Sequence, residues 1–88
     1  MKVKVFGIEK KQYDMSRDGG PKFDGYYIHG ERIDAVVDGL VGHLPITIKL
    51  DKSHPYYVDD IAVGRVYLVS YDDKKKLDFI MPDAAANK

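Results

Sequence analysis

The clearest alternation of apolar and polar residues lies in the middle of the chain. An apolar row is formed by Ile46, Ile48 and Leu50, and the polar residues between them are Thr47 and Lys49. Successive side chains of a β-strand point to opposite faces, so this pattern predicts a half-buried antiparallel strand. We expect the apolar row to lie inside the fold and the polar residues to face solvent.

The N-terminal third of the chain predicts a bent strand and a hairpin. Residues 2–8 begin with alternating Lys and Val, and Gly7 within them indicates a bulge. The segment 16–21, which contains two Gly and a Pro, is the strongest turn signal in the chain. It separates the arms 10–15 and 23–28, so we expect a long hairpin whose flexible tip carries cations.

Two further features complete the predicted strands. The second hairpin arm is expected to continue through Ile33 to Val37, with another bulge at Gly30. A closing hairpin is expected to pair residues 65–71 with residues 77–81. The predicted core consists of Val3, Val5, Ile46, Ile48, Leu50, Val66 and Leu68.

These patterns predict an all-β protein. No long segment has a helical apolar stripe, and five short strands in a chain of this size favour a small five-stranded barrel with a protruding hairpin. An OB-like barrel and an SH3-like barrel both fit. We expect residues 1–82 to form one β-barrel domain and residues 83–88 to form a C-terminal tail, either frayed or folded as a short helical cap.

Composition limits the classes of protein that fit. The 88 residues include no Cys, which excludes disulfides and Cys-based metal sites. No apolar run approaches the roughly 20 residues that span a bilayer, and the N-terminus does not resemble a signal peptide. We therefore expect a cytoplasmic protein without a membrane partner. Because so short a chain has a modest core, we also expect a homodimer.

The charge balance is neutral, but the charges are unevenly distributed. Fourteen Lys and Arg balance fourteen Asp and Glu, whereas nucleic-acid-binding proteins usually carry excess positive charge. The first 22 residues nevertheless hold six cations against three acids, and residues 24–38 hold four acids against one cation. A positive face on a neutral molecule is therefore possible.

The seven tyrosines are the main candidates for binding residues. Most lie near predicted turns or strand ends, with Lys or Arg a few residues away. Tyrosine is also a common strand residue, so a single one indicates little. Aromatic faces between cations are what a protein needs to bind unstacked bases and a phosphate backbone. The distribution therefore indicates nucleic-acid binding as a hypothesis.

Four stretches together resemble a known family. They are the opening strand 1–5, the hairpin with Arg17 before its Gly-rich tip, the strand 44–51 with the loop that follows it, and the closing pair of strands with its Ala- and Lys-containing tail. In this order they resemble the small single-stranded DNA-binding proteins of filamentous phages, the gene-V-type or helix-destabilising family. The shared features are loose patterns that cover most of the chain.

The resemblance implies an OB-type barrel and a two-fold dimer that binds single-stranded DNA, or RNA, cooperatively and with little sequence preference. It also implies a phage or mobile-element origin and a role in DNA replication. The implied nucleic-acid-binding residues are Arg17, Lys22, Tyr26, Tyr27, Tyr56 and Tyr71. Arg17 and Lys22 match the cations of the hairpin, and the tyrosines match stacking or loop positions. The turn 72–76 is shorter than the corresponding loop of the family, and acids flank the hairpin cations.

Two other classes are weighed against this one. An enzyme is not expected, because the three histidines lack metal-ligand spacing and no serine has a nucleophile-elbow context. No cofactor is implied. The stronger alternative is an SH3-like protein-interaction module, or an accessory protein that inhibits a partner, which the acidic segment 24–38 and the exposed Tyr pairs would suit.

Overall fold

The computed structural model describes residues 1–87 and confirms the all-β class. The strands are β1 (Lys2–Asp14), β2 (Lys22–Arg32), β3 (Leu44–Asp51), β4 (Val66–Tyr71) and β5 (Leu77–Pro82). They form one antiparallel sheet in the order β3-β2-β1-β4-β5. The strands β3 and β5 are the edges of this sheet, so the sheet is open and closure into a barrel is not established.

The long hairpin and its bulge are as predicted. Strands β1 and β2 pair along most of their length, and the register shifts between Val5 and Gly7. At the tip, the amide of Met15 donates to the carbonyl of Pro21 (3.0 Å), and Gly19 ends a short 3₁₀ turn with a φ of 72°. That left-handed conformation favours glycine, which explains the Gly-rich turn signal.

Two expectations for the second arm are wrong. Strand β2 ends at Arg32 rather than Val37, and residues 33–43 contain turns but no strand or helix. Gly30 is not a bulge, because it pairs in register with Val5 and Ile46. A Cβ at Gly30 would lie 2.5 Å from Cγ1 of Val3, so glycine is required there by close packing.

The core contains most of the predicted residues and corrects two of them. Val3, Val5, Ile48, Leu50 and Val66 are buried, whereas Ile46 and Leu68 are only half-buried. The core cluster also contains Ile28, Ile61, Tyr67, Val69 and Ile80, whereas Phe23 is buried outside this cluster.

The side of β4 that faces the core is therefore the opposite of the predicted side. Tyr67 and Val69 point into the core in place of Leu68. The Tyr67 hydroxyl accepts a hydrogen bond from the amide of Ala62 (3.0 Å), so its polar atom is satisfied inside the fold. Val69 is 1% exposed, so it is fully part of the core.

The segment after β5 is docked, so the expectation of a frayed tail is wrong for residues 83–87. Asp83 is buried, and its amide donates to the carbonyl of Val66 (3.0 Å). Its carboxylate accepts from the amides of Ala85 and Ala86. The side chain of Asn87 binds both backbone groups of Val66. Tyr67 points into the core, so its neighbour Val66 points to the opposite face of β4. The C-terminal segment covers Val66 there, which explains why Val66 is buried.

The connection from β3 to β4, residues 52–65, packs against the core side of the sheet. Tyr57, Val58 and Ile61 contact the core from this connection. In residues 1–87, no helix combines the length and apolar character needed to cross a membrane.

Candidate nucleic-acid interface

The side of β1, β2 and β3 that faces away from the core is called the outer face here. Ile28 is fully buried, so the side chain of Tyr27, the residue before it, points to the outer face. Tyr27 pairs with Glu9 of β1 and with Lys49 of β3. The register therefore places side chains from three strands next to Tyr27.

Two lysines surround the ring of Tyr27. The Nζ atom of Lys11 lies 5.6 Å from the ring centroid, and the Nζ atom of Lys49 lies 5.5 Å from it. Both distances are within the range of cation–π attraction. Lys11 comes from β1 and Lys49 from β3, so the ring on β2 is held between cations of its two neighbouring strands.

Two further aromatic side chains adjoin Tyr27 at the hairpin end of the outer face. The rings of Phe23 and Tyr27 meet edge to face at 5.3 Å, and those of Tyr13 and Phe23 stack at 5.7 Å. The hydroxyl oxygens of Tyr13 and Tyr27 are 3.4 Å apart, and this hydrogen bond raises the pKa of Tyr13. We call Tyr13, Phe23 and Tyr27 the aromatic platform.

Glu9, an acid beside the platform, is paired with two neighbouring side chains. The carboxylate of Glu9 lies 3.2 Å from Nζ of Lys11 and 3.3 Å from Nε2 of His29. Hydrogen bonds from Lys11, and secondly from His29, lower the pKa of Glu9. The other ring nitrogen of His29 lies 3.2 Å from Oγ1 of Thr47. Lys49 forms no ion pair within residues 1–87, so its charge is available to a ligand.

The two predicted hairpin cations lie near the platform but not on it. Arg17 is exposed in the 3₁₀ turn at the hairpin tip. Lys22 begins β2, directly before Phe23, and lines two shallow surface cavities with it. Asp51 also lines the larger cavity, and hydrogen bonds from the amides of Ser53 and Asp24 lower its pKa.

Tyr26 points to the other side of the sheet from Tyr27. It packs against the core and stacks on Tyr57, with ring centroids 5.9 Å apart and an angle of 3° between the planes. The hydroxyl of Tyr57 donates to Asp59 (2.6 Å), and this bond, more than burial, raises the pKa of Tyr57. This stack anchors the connection 52–65 to the sheet, which gives Tyr26 a structural role.

The last two predicted tyrosines also lie away from the platform. Tyr56 is 44% exposed on the connection after β3, where its ring centroid is 6.2 Å from that of Phe79 of β5. Tyr71 packs against the core at the end of β4, and burial raises its pKa. The structure therefore brings Tyr27 together with other aromatic and cationic residues but does not place Tyr56 or Tyr71 beside it.

Sequence reasoning missed four residues that surround Tyr27. They are Lys11, Tyr13, Phe23 and Lys49. Lys49 lies in the polar row of β3, so alternation alone indicated its outward direction. Lys11 shares the odd numbering of the buried Val3 and Val5, so it faces outward only because of the bulge at Gly7. Which β1 and β3 residues flank Tyr27 depends on the strand register, and the bulge at Gly7 shifts that register.

Comparison with known proteins identifies no relatives. No protein-family model matches the chain, and no curated protein or solved structure is similar enough to count as a match. The resemblance to the filamentous-phage proteins therefore rests on the residue patterns alone. Within residues 1–87, no group of three or more His, Asp or Glu side chains is placed to hold a metal ion.

Proposed function

We propose that the protein binds single-stranded nucleic acid, with little sequence preference, on the outer face of β1, β2 and β3. The observation that carries this proposal is the position of the Tyr27 ring between Lys11 and Lys49. An aromatic ring supplies a stacking surface for any unpaired base, and the adjacent cations supply contacts for the phosphates. A duplex does not offer unstacked bases, so single strands are the preferred ligand.

The energies favour exchange of a lysine for a base at Tyr27. A cation–π contact at an exposed site contributes about 0.5–1 kcal/mol. A stacked base contributes roughly 1–3 kcal/mol. A lysine that leaves the ring can pair with a phosphate of the same strand, so its interaction is replaced rather than lost.

The hairpin cations extend this proposed surface. Lys22 lies directly before Phe23 of the platform, and Arg17 projects from the hairpin tip. Both are proposed to contact phosphates beyond the platform. Asp14 next to the tip accepts hydrogen bonds from Ser16, which lower the pKa of Asp14 and keep it ionised. This acid limits the phosphate attraction at the tip, and Glu9 pairs with Lys11, so the main electrostatic contribution is assigned to Lys49, which forms no ion pair within residues 1–87.

The test is a fluorescence titration of the protein with oligo-dT of about 12 nucleotides, within the range of site sizes for small β-barrel domains. The protein has seven Tyr and no Trp, so its intrinsic emission comes from tyrosine. We expect quenching at low salt and a steep loss of affinity as salt rises. An absence of quenching at low salt would contradict the proposal. Parallel titrations with oligo-rU and with duplex DNA of the same length determine the preferred nucleic acid.

The second candidate function is protein binding, and one observation favours it. Val36 and Val41, in the segment between β2 and β3, are 96% and 98% exposed. Asp34 and Asp38 accompany them, so this segment combines apolar and acidic side chains in the way that interaction surfaces do. If the titration fails while the protein is folded, this candidate becomes the leading one.

A homodimer is also proposed, and the exposed apolar residues support it. Val36, Val41 and Met81, the last of which lies on the edge strand β5, are exposed in the single chain. A two-fold contact would remove such residues from solvent. Analytical ultracentrifugation tests this directly, and a stable monomer at high micromolar concentration would contradict it.

A further inference from the structure

An exposed phenylalanine lies on the outer face, beyond the aromatic platform. Phe6 is 59% exposed, whereas Val5 before it is 1% exposed and belongs to the core. Alternation from the buried Val5 directs Phe6 away from the core, and the exposure of Phe6 agrees, so its side chain is assigned to the side of the sheet that carries Tyr27. A single exposed apolar residue is common and needs no explanation by itself. The surroundings of Phe6 are what make it a candidate binding residue.

The backbone at Phe6 is bulged and fixed. Val5 pairs with Gly30 and Gly7 pairs with His29, so Phe6 between them has no partner on β2. Bulges redirect a side chain and are frequent beside functional sites. The amide of Val5 donates to the carbonyl of Arg65 (3.0 Å), and the carbonyl of Val5 accepts from the amide of Gly64 (2.8 Å). The ring of Phe6 is therefore presented from a backbone that is held in place.

Two exposed cations lie near Phe6 in the strand pairing. Lys4 lies two residues before it on the same strand, and Arg65 is bonded to the adjacent Val5. Both are exposed, and neither forms an ion pair within residues 1–87. Glu31 pairs with Lys4 across the sheet, but its carboxylate lies 3.3 Å from Nδ1 of His43.

The surface between Phe6 and Tyr27 is formed by Gly7 of β1 and by the paired side chains of Glu9 and His29. Glu9, the partner of Tyr27, is three residues from Phe6, which corresponds to about 10 Å along β1. Gly7 lies between them and has no side chain. A Cβ at Gly7 would be 3.8 Å from that of His29, so glycine is not required there by packing and leaves the surface open.

We propose that Phe6 is a second stacking position, which binds another unpaired base of the same nucleic-acid strand that is bound at Tyr27. The strand crosses Gly7, and Lys4 and Arg65 contact its phosphates. This inference rests on the proposed function. It adds that the binding surface extends along β1 to the bulge, away from the hairpin tip.

The experiment measures the affinity of Phe6 variants for oligo-dT of about 12 nucleotides. Phe6→Ala and Phe6→Leu should each weaken binding by roughly 5- to 150-fold, because both remove the ring. Phe6→Leu keeps a large apolar side chain, so weak binding by this variant shows that the ring itself is needed. Val63→Ala, at an apolar position of similar exposure (61%) on the connection 52–65, is the matched control and should bind as the wild type does. Phe6→Trp introduces the only Trp of the chain, and its emission should be quenched by the oligonucleotide.

The outcomes separate this inference from the proposed function. If Tyr27→Ala weakens binding while Phe6→Ala and Phe6→Leu bind normally and Phe6→Trp is not quenched, the second position is wrong and the proposed function stands. If the folded wild type does not bind, the proposed function is wrong and the inference falls with it. If Phe6→Ala instead lowers the mass measured by sedimentation, Phe6 lies between two copies of the chain and the inference is overturned.

Discussion

The side-chain amide of Asn87 forms two hydrogen bonds with the backbone of Val66. Asn87 Nδ2 donates to the Val66 carbonyl (2.7 Å), and Asn87 Oδ1 accepts from the Val66 amide (2.8 Å). A side chain thus supplies the donor and acceptor that a neighbouring strand would otherwise supply at the start of β4. This pair fixes the end of the C-terminal segment to the sheet.

Removal of that amide should destabilise the fold. Asn87→Ala leaves the amide of Val66 without a partner and its carbonyl with the Asp83 amide alone, which should lower the free energy of unfolding by about 1–3 kcal/mol. Urea denaturation measures this change. Ala84→Ser, at an exposed position of the same segment, is the control and should have little effect. Equal stability of Asn87→Ala and the wild type would mean that the segment does not stabilise β4.

Replacement of Tyr27 should affect binding more than folding. Tyr27→Ala removes the stacking ring between Lys11 and Lys49 and should weaken the binding of any single-stranded sequence by roughly 1–3 kcal/mol. Tyr27→Phe keeps the ring and should bind nearly as the wild type does. Tyr56→Ala, which changes a ring that lies against Phe79, should have a smaller effect. A larger effect at Tyr56 than at Tyr27 would move the site to the connection after β3.

Loss of the free lysine should change the dependence of binding on salt. Lys49→Gln removes one proposed phosphate contact, so the slope of log affinity against log salt should decrease in magnitude by about 0.7. Lys74→Gln, in the turn between β4 and β5, lowers the net charge equally and should leave the slope unchanged. Identical slopes for the two variants would show that Lys49 has no specific role.

Acid should destabilise the protein partly through Asp51. Hydrogen bonds from Ser53 and Asp24 lower the pKa of this carboxyl below its ordinary value of 3.8. The ionised form is therefore favoured in the folded state, and its stabilising contribution is present above about pH 3.8 and lost as the pH falls through the lower folded-state pKa. Urea denaturation between about pH 6 and pH 2 should show a steeper loss of stability for the wild type than for Asp51→Asn. Parallel curves for the two proteins would contradict this assignment.

The sequence by itself determined the elements whose signals are local. The alternation around Ile48 and Leu50 predicted the buried and exposed sides of β3, and the Gly- and Pro-containing turn 16–21 predicted the hairpin. Both succeed because strand alternation and turn geometry depend on adjacent residues. Gly7 marked the bulge correctly for the same reason.

Only the tertiary structure decided the burial in β4 and the environment of Tyr27. In β4 both faces carry apolar residues, so alternation did not indicate that Tyr67 would enter the core and Leu68 would not. The choice depends on the amide of Ala62, which satisfies the Tyr67 hydroxyl, and on the C-terminal segment that covers Val66. Tyr27 meets lysines from β1 and β3 only because of the pairing registers of three strands. Those registers join residues that are far apart in sequence, and no local pattern encodes them.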